Sequence, residues 1–534
     1  MGESAHVDRF VLERLPPPEQ QPDFLFDLPE LAYPPRLNAA TELLRRAVEA
    51  AGPEGRALID FDHEFSWARV DAVSGRMARV LVEDLGLVPG NRVLLHGPNS
   101  AWTVLAWFAI LKAGGVVVAT MPMLRATELA TVLAKAQVSH ALVYETLAEP
   151  VEEARAAAPS LTRVMTSAQL QAAAMALPPG TGFESVGTAA DDPALIAFTS
   201  GTTGKPKGCV HFHRDVLAMA DTFARHLLDL RPGDVVVGTP PIAFTFGLGG
   251  LVVFPAAAGA ATAFANRPGF EALAETIEGH RATAIFTAPT GYRALLKLAD
   301  EHDLSSLRTC VSAGETLPAA TSEAWYAATG VRIIDGIGST EMIHIFISAR
   351  GDDIRPGCTG RAVPGYEARI VDEAGRPLPP GSTGRLAVRG PTGCRYLEDE
   401  RQAAYVHHGW NLTGDVYRLD EAGRFWFVAR SDDMIISSGY NIGAPEVENA
   451  LLGHPAVAEA AVIGAPDEER GQIVKAFVVL HPGRGPSDAL RCELQAHVKS
   501  VIAPYKYPRA LWFVDSLPKT QTGKLQRFRL KDDA

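Results

Sequence analysis

RVLLHGPNSAWTVLAWFAILKAGGVVVATMPMLRATELATVLAKAQVSHALVYE, residues 92–145, holds three short β-rich apolar runs separated by two helix-like stretches. The runs are RVLLHG, GVVVATMP and SHALVYE. Between them lie SAWTVLAWFAILKAGG and ATELATVLAKAQ. Such alternation marks βαβ units on a mostly parallel sheet. The pattern returns downstream in ALIAFTSG (194–201), DVVVGTPP (234–241), ATAIFTAPT (282–290) and LRTCVSAGE (307–315). Each reads as a strand ending in a loop of small or polar residues, the end at which open parallel sheets bind ligands.

Beyond these units the composition changes. Residues 357–390, GCTGRAVPGYEARIVDEAGRPLPPGSTGRLAVRG, suggest short antiparallel strands with Gly/Pro turns. A main boundary is expected near Ser431, followed by a small α+β pattern of about 100 residues. The expected fold is therefore α/β. A large N-terminal domain (1–431) has mostly parallel sheets flanked by helices plus a β subdomain, and a smaller C-terminal domain spans 432–534.

The 534 residues are too many for one small core, at roughly 100–200 residues per domain. Hydrophobic residues make up 47% and charged residues 21%, the balance of an ordinary globular protein. Fifty Lys and Arg stand against 62 Asp and Glu, a formal net charge of −12. Nucleic-acid binders neutralise phosphates with clustered cations, so such a partner is not expected. Cys209, Cys310, Cys358, Cys394 and Cys492 form no CxxC pair, which argues against a disulfide framework or zinc site and fits a reducing cytoplasm. The first residues lack an apolar signal core, and His6 stands where a myristoylation motif needs Ser or Thr. Residues 235–266 carry no charge. Pro240, Pro241 and Pro255, with Gly247, Gly249, Gly250 and Gly259, break any membrane helix there, so a buried strand–loop–helix–strand passage beside a binding site is expected.

Four constellations carry chemistry. TSGTTGKPKG (199–208) follows a strand directly, and its hydroxyls, backbone N–H groups and lysines suit phosphate oxygens. It is no Walker A loop, because Pro206 follows Lys205. DGIGSTEMIHIF (335–346) sets Thr340 beside Glu341, a hard oxygen donor of the kind Mg²⁺ takes. LTGDVYRLDEAGRFWFVARSDDMI (412–435) places Asp415 in a TGD turn, ready to accept from two ribose hydroxyls, with Arg430 able to assist. LPKTQTGKLQRF (517–528) presents Lys524 after a Thr-Gly turn. Taken singly, the last two read as a surface turn and a solvated lysine. The HxxxD string of His211 and Asp215 reads as a helix opening rather than a catalytic pair. His407–His408 lacks a ligand set, and neither GIGSTE nor GLGGLV completes GxGxxG.

In this order the motifs resemble the adenylate-forming superfamily, which includes acyl-CoA synthetases, peptide-synthetase adenylation domains and beetle luciferases. The resemblance spans nearly the whole chain. It implies that Thr199, Ser200, Gly201, Thr202, Thr203, Gly204 and Lys207 hold ATP phosphates. Ala313, Gly314 and Glu315 would cover one face of adenine and Gly336, Ile337 and Gly338 the other. Asp335 would meet the adenine amino group, Thr340 the α-phosphate, Glu341 the Mg²⁺ and Asp415 with Arg430 the ribose. Most relatives have an aromatic ring where Ile337 stands. The small domain would turn about a hinge at Asp432. Lys524 would serve the adenylation pose, and Gly439 in SSGYN would let the pantetheine arm of coenzyme A pass in the other. Acetylation of Lys524 would remove the needed cation.

STEMIHIF is similar to benzoate-type aryl-CoA ligases. There the positions of Thr245, Phe246, Ala313, Gly338, His344 and Ile345 line the aryl pocket; in this sequence Phe244 and Phe246 are placed to wall a flat ring, with Gly247 beside them. The sequence departs at Thr245 and Phe246, where a small apolar residue and a tyrosine are common. Residues 4–31 look most like 2-aminobenzoate–CoA ligases. The expected partners are thus a small aromatic carboxylate, ATP and coenzyme A, with no nucleic acid or membrane. A carrier-loading adenylating enzyme and a non-enzymatic nucleotide-binding relative are the alternatives. Oligomeric state is not legible.

Overall fold

A computed structural model describes residues 3–60, 63–178, 180–199, 206–431, 433–437, 440–467, 470–519 and 525–532. The opening stretch forms the βαβ units its pattern implies. Arg92–His96 and Val116–Thr120 pair in parallel, joined by the helix Ala101–Lys112. Ser100 caps this helix by accepting from the Thr103 N–H. Every residue of the helix is buried, as its nearly unbroken apolar composition requires. Lys112, the exception in character, turns its ammonium onto Asp71 at 2.6 Å.

Two sheets carry the large domain. One runs, by position, Arg163–Thr166, His140–Val143, Arg92–His96, Val116–Thr120, Pro193–Thr199, Lys207–Phe212. Its first five strands are parallel, while the last is antiparallel. The second sheet has nine strands among the described residues. Its parallel middle comprises Ile333–Gly338, Thr309–Ser312, Ala284–Thr287, Val235–Gly238, Ala261–Phe264 and Arg56–Asp60. One continuous core joins the helices to both sheets, with Trp67, Trp107, Phe108, Phe223, Phe254 and Phe286 among its largest members.

The uncharged passage folds as the strand Val235–Gly238, a loop, three successive helical segments and the strand Ala261–Phe264. Among the described residues no helix is long and apolar enough to cross a membrane. The Gly/Pro-rich region after residue 360 forms antiparallel strands, Glu367–Val371 against Thr383–Arg389 and that strand against Trp410–Leu419. A separate sheet starts at Met434. It contains Tyr440–Gly443, Met434–Ser437, Gly471–Leu480 and Val457–Asp467, with Ala510–Phe513 beside Gly471–Leu480. Its own core includes Ile435, Val447, Leu451, Val462, Val474 and Leu494.

The helix opening expected at HFHRD (211–215) is present, starting at His213, while His211 itself belongs to the strand Lys207–Phe212, opposite Leu195. A continuously buried run from Gly208 to Phe212 and a full partner strand hold His211 in the sheet. Asp415 does not sit in a turn. Thr413–Asp415 bulges within the strand Trp410–Leu419, because Leu412 faces Ala387 while Val416 faces Arg385. Gly414, at φ 77°, supplies the backbone shape the bulge needs.

Candidate active site

The ten-residue glycine-threonine stretch joins two antiparallel strands. Thr199 ends the first, Lys207 begins the second, and they are register partners. Ser200, Gly201, Thr202, Thr203 and Gly204 lie outside the described residues, as do Asp432, Gly439 and Lys524. Lys207 is placed. Its ammonium donates to the Tyr396 hydroxyl at 2.6 Å and lies 3.5 Å from the Glu341 carboxylate. The Tyr396 hydroxyl in turn donates to Glu341. Burial, reinforced by the Glu341 charge, pushes the Tyr396 phenol far above its usual range, so it stays a donor. Tyr396 and Tyr405 also present their rings to the ammonium, with centroids 4.6 and 5.9 Å away.

Thr340 and Glu341 lie in the turn between the strands Ile333–Gly338 and Ile345–Ser348. The turn closes through Met342 N–H to the Ser339 carbonyl and Ile343 N–H to the Thr340 carbonyl, both 3.2 Å. It forces Ile343 to φ 62°, costly for a β-branched residue. A second donor reaches the Thr340 carbonyl: His211 Nε2, at 2.7 Å, from the other sheet. Behind His211 stands Asp215, whose Oδ2 is 3.7 Å from Nδ1 and accepts from Arg395 at 2.7 Å. All three side chains are fully buried. Burial opposes charge on His211, but Cys209 and Asp215 beside it push its pKa up to about 10.

Asp335 and Ile337 point from the same strand, both half-buried. Burial pushes Asp335 up to about 7, and its Oδ1 has no partner among the described residues. Ala313 is buried just past the end of the neighbouring strand, followed by Gly314 and by Glu315, which accepts from Thr290 at 2.9 Å. Asp415 is buried opposite Arg430, whose guanidinium donates to it at 2.8 Å and to the Thr413 carbonyl at 3.3 Å. Burial raises the Asp415 pKa, against the pull of Arg430.

The remaining residues form a buried aromatic cluster. His344 is 3% exposed and its ring lies 4.6 Å from Phe254, 5.2 Å from Phe223 and 5.7 Å from Phe246. Phe246 also meets Phe286 edge-on at 5.9 Å. Neither His344 nitrogen has a hydrogen-bond partner among the described residues. Burial pushes its pKa down to about 3, opposed only by the Phe246 backbone, so the imidazole is neutral. Thr245, Gly247 and Ile345 are buried alongside. Phe244 immediately precedes the helix Thr245–Leu248. A π-turn at Gly249–Val253 interrupts the helical passage. A Cβ on Gly249 would lie 2.5 Å from His344, and one on Gly250 2.5 Å from Phe286, so both glycines let the rings approach.

No motif marks Tyr396, Tyr405, Arg395 or Phe223, and Phe254 and Phe286 lie in apolar runs that do not single them out; only the folded chain gathers them.

These groups lie beside a buried aromatic cluster formed by His344, Phe223, Phe246, Phe254 and Phe286. The "AMP-binding enzyme" family profile covers residues 44–395, and the "AMP-binding enzyme C-terminal domain" profile covers 446–524. Benzoate–CoA ligase of Thauera aromatica is 37% identical over 513 residues, spanning 94% of this chain and 97% of that protein. The crystal structure of the anthranilate CoA ligase AuaEII with anthranoyl-AMP is similar at TM-score 0.89 and 36% identity, over 95% of this chain and 99% of that one. A benzoate CoA ligase from Burkholderia xenovorans LB400 follows at TM-score 0.83 and 34% identity, over 92% and 99%. The chain belongs to the AMP-binding, adenylate-forming (acyl-CoA synthetase) enzymes, and its relatives there include AMP-forming acid–CoA ligases.

Proposed function

We propose that the protein joins an aromatic carboxylic acid to coenzyme A through an aryl-adenylate, and that the acid is 2-aminobenzoate or another ring-substituted benzoate. In the first half a carboxylate oxygen attacks the α-phosphorus of ATP, and the bond to pyrophosphate breaks. In the second the CoA thiolate attacks the activated carbonyl, and AMP leaves with the electrons of the broken acyl–oxygen bond. Thr340 and Lys524 serve the α-phosphate, the latter as a point cation on a flexible stem. The phosphate oxygens fall to residues 199–204 and Lys207. Asp335, with its unpartnered oxygen, accepts from the adenine amino group between Ile337 and the Ala313–Gly314–Glu315 loop, with Gly336 and Gly338 alongside. Asp415 and Arg430 hold the ribose.

Glu341 offers a hard oxygen donor beside the phosphate-loop lysine, which fits Mg²⁺ shared with substrate phosphates. Among the described residues no three His, Cys, Asp or Glu side chains gather as a metal cage, in keeping with one carboxylate plus phosphate oxygens. The metal would supply charge neutralisation at the phosphates. Residues 1–431 and 432–534 act as separate domains hinged at Asp432. After the turn Gly439 replaces Lys524 at the site and admits the thiol arm.

One observation carries the choice of acid: a neutral imidazole, His344, with two unpartnered nitrogens inside a wall of phenylalanines. Buried polar groups are normally satisfied, so an unpartnered imidazole beside the pocket positions supports a ligand that completes it. A ring amino or hydroxyl group does so, and an unsubstituted ring does not. Phe246 strengthens the point, since it brings no hydroxyl of its own. AuaEII, named as an anthranilate CoA ligase, supports the same reading. The test is ATP-dependent CoA-ester formation across benzoate, its 2-amino, 2-hydroxy and 4-hydroxy forms, and short fatty acids. Preference for an aliphatic acid would overturn the assignment.

A further inference from the structure

The geometry points to His211 as a positioning residue for adenylate formation, tying the phosphate-loop strand to the Thr340–Glu341 turn through its bond to the Thr340 carbonyl. The inference rests on the reading of Thr340 and Glu341 as groups at the α-phosphate and the metal.

The strand Lys207–Phe212 carries Lys207 at its start and His211 four residues on, in the sheet that holds the phosphate loop. The Thr340–Glu341 turn belongs to the other large sheet. A site assembled from two sheets needs a fixed distance between them. His211 reaches the turn at 2.7 Å. A carbonyl only accepts, so Nε2 carries the proton, whatever the charge of the ring. Asp215 stands 3.7 Å behind the ring, beyond hydrogen-bond reach of Nδ1, and is itself held by Arg395 and by the Phe212 N–H at 3.0 Å. The turn needs such a support. Ile343 is held in the left-handed region, and strained backbone persists only where its surroundings over-determine it. Without the imidazole, the Ile343 N–H is the one remaining donor to that carbonyl among the described residues. Small shifts of catalytic groups are costly to rate.

The experiment compares His211→Leu, His211→Gln and His211→Asn in the full chain. It measures ATP–pyrophosphate exchange, thioester formation from pre-made aryl-adenylate, and melting temperature. Glutamine sets an amide N–H near the Nε2 position, whereas asparagine sets it near Nδ1. The Leu and Asn variants should lose on the order of 10- to 100-fold in kcat for exchange, with KM for the acid within about twofold. Thioester formation from the adenylate should persist, and the Gln variant should recover most of the exchange. Undiminished exchange in the Leu variant, a Gln variant no better than Asn, or parallel loss of both half-reactions with the melting temperature would each overturn the proposal. Glu341→Gln is measured beside them. If it exchanges pyrophosphate normally, the reading of the turn fails, and this inference fails with it for a separately identifiable reason.

Discussion

Replacing His344 with leucine should change substrate choice and stability in opposite directions. The imidazole is 3% exposed, has no hydrogen-bond partner among the described residues, and packs against Phe223, Phe246 and Phe254. Leaving a buried polar group unsatisfied costs about 1–3 kcal/mol. Leucine is of similar size and has nothing to satisfy, so ligand-free His344→Leu should gain about 1 kcal/mol if packing is kept. With 2-aminobenzoate bound, the parent gains a neutral hydrogen bond, worth about 0.5–1.5 kcal/mol. At about 1.4 kcal/mol per tenfold, the variant's ratio of kcat/KM for 2-aminobenzoate over benzoate should fall roughly 2- to 12-fold. Steady-state CoA-ester formation with both acids gives the ratio, and urea unfolding gives the stability. An unchanged ratio, or an equal loss on both acids, would refute the imidazole as the partner of a ring substituent.

Lys524→Ala should abolish ATP–pyrophosphate exchange while sparing thioester formation from pre-made adenylate, and equal loss of both halves would contradict the two-pose reading. Gly247→Ala should destabilise the fold by about 1–3 kcal/mol or more, because its Cβ would lie 2.1 Å from the Pro241 carbonyl oxygen; an unchanged urea midpoint would show that the backbone there gives way. Acidification should weaken the fold between pH 6.5 and about 4. Burial holds His213 and His344 down to about 3 and His96 down to about 4, so below pH 6.5 the unfolded chain takes up protons that the folded chain refuses. Each contributes up to about 1.4 kcal/mol per pH unit. Asp335, pushed up to about 7, gains its proton earlier when folded and offsets one of the three. Urea midpoints should therefore fall from pH 6.5 to 5, and a flat profile would show that these histidines are not held neutral.

What the sequence disclosed and what it withheld divide along one physical line. The parallel sheets were legible because their strands and helices announce themselves locally, as in residues 92–145. The phosphate-loop flanks, the DGIGSTE turn and the Asp415 region were legible because their chemistry is packed into short runs. The β subdomain was visible in its turn residues. The Asp415 bulge was not, because a bulge is defined by the register of neighbouring strands, and TGD reads equally well as a turn. Tyr396 was invisible for a related reason. It lies 55 residues from Glu341 and 189 from Lys207, and nothing in its own neighbourhood specifies that it stands between them.

The same line explains why HFHRD disclosed its helix opening but not the partner of His211. Read locally, an HxxxD spacing offers a catalytic pair or a helix opening. In the folded chain Asp215 opens the helix, accepting from the Phe212 N–H, while His211 stays on the strand before it. The two meet across that junction, and the partner that gives the pair its purpose, the Thr340 carbonyl, is 129 residues away. Motifs in this chain thus name the groups we propose to touch substrate. The groups that hold those motifs at a fixed distance come from other segments and leave only single polar residues in apolar strands. A buried histidine in a strand that leaves a phosphate loop is such a residue, and its role becomes readable once the carbonyl it serves is known.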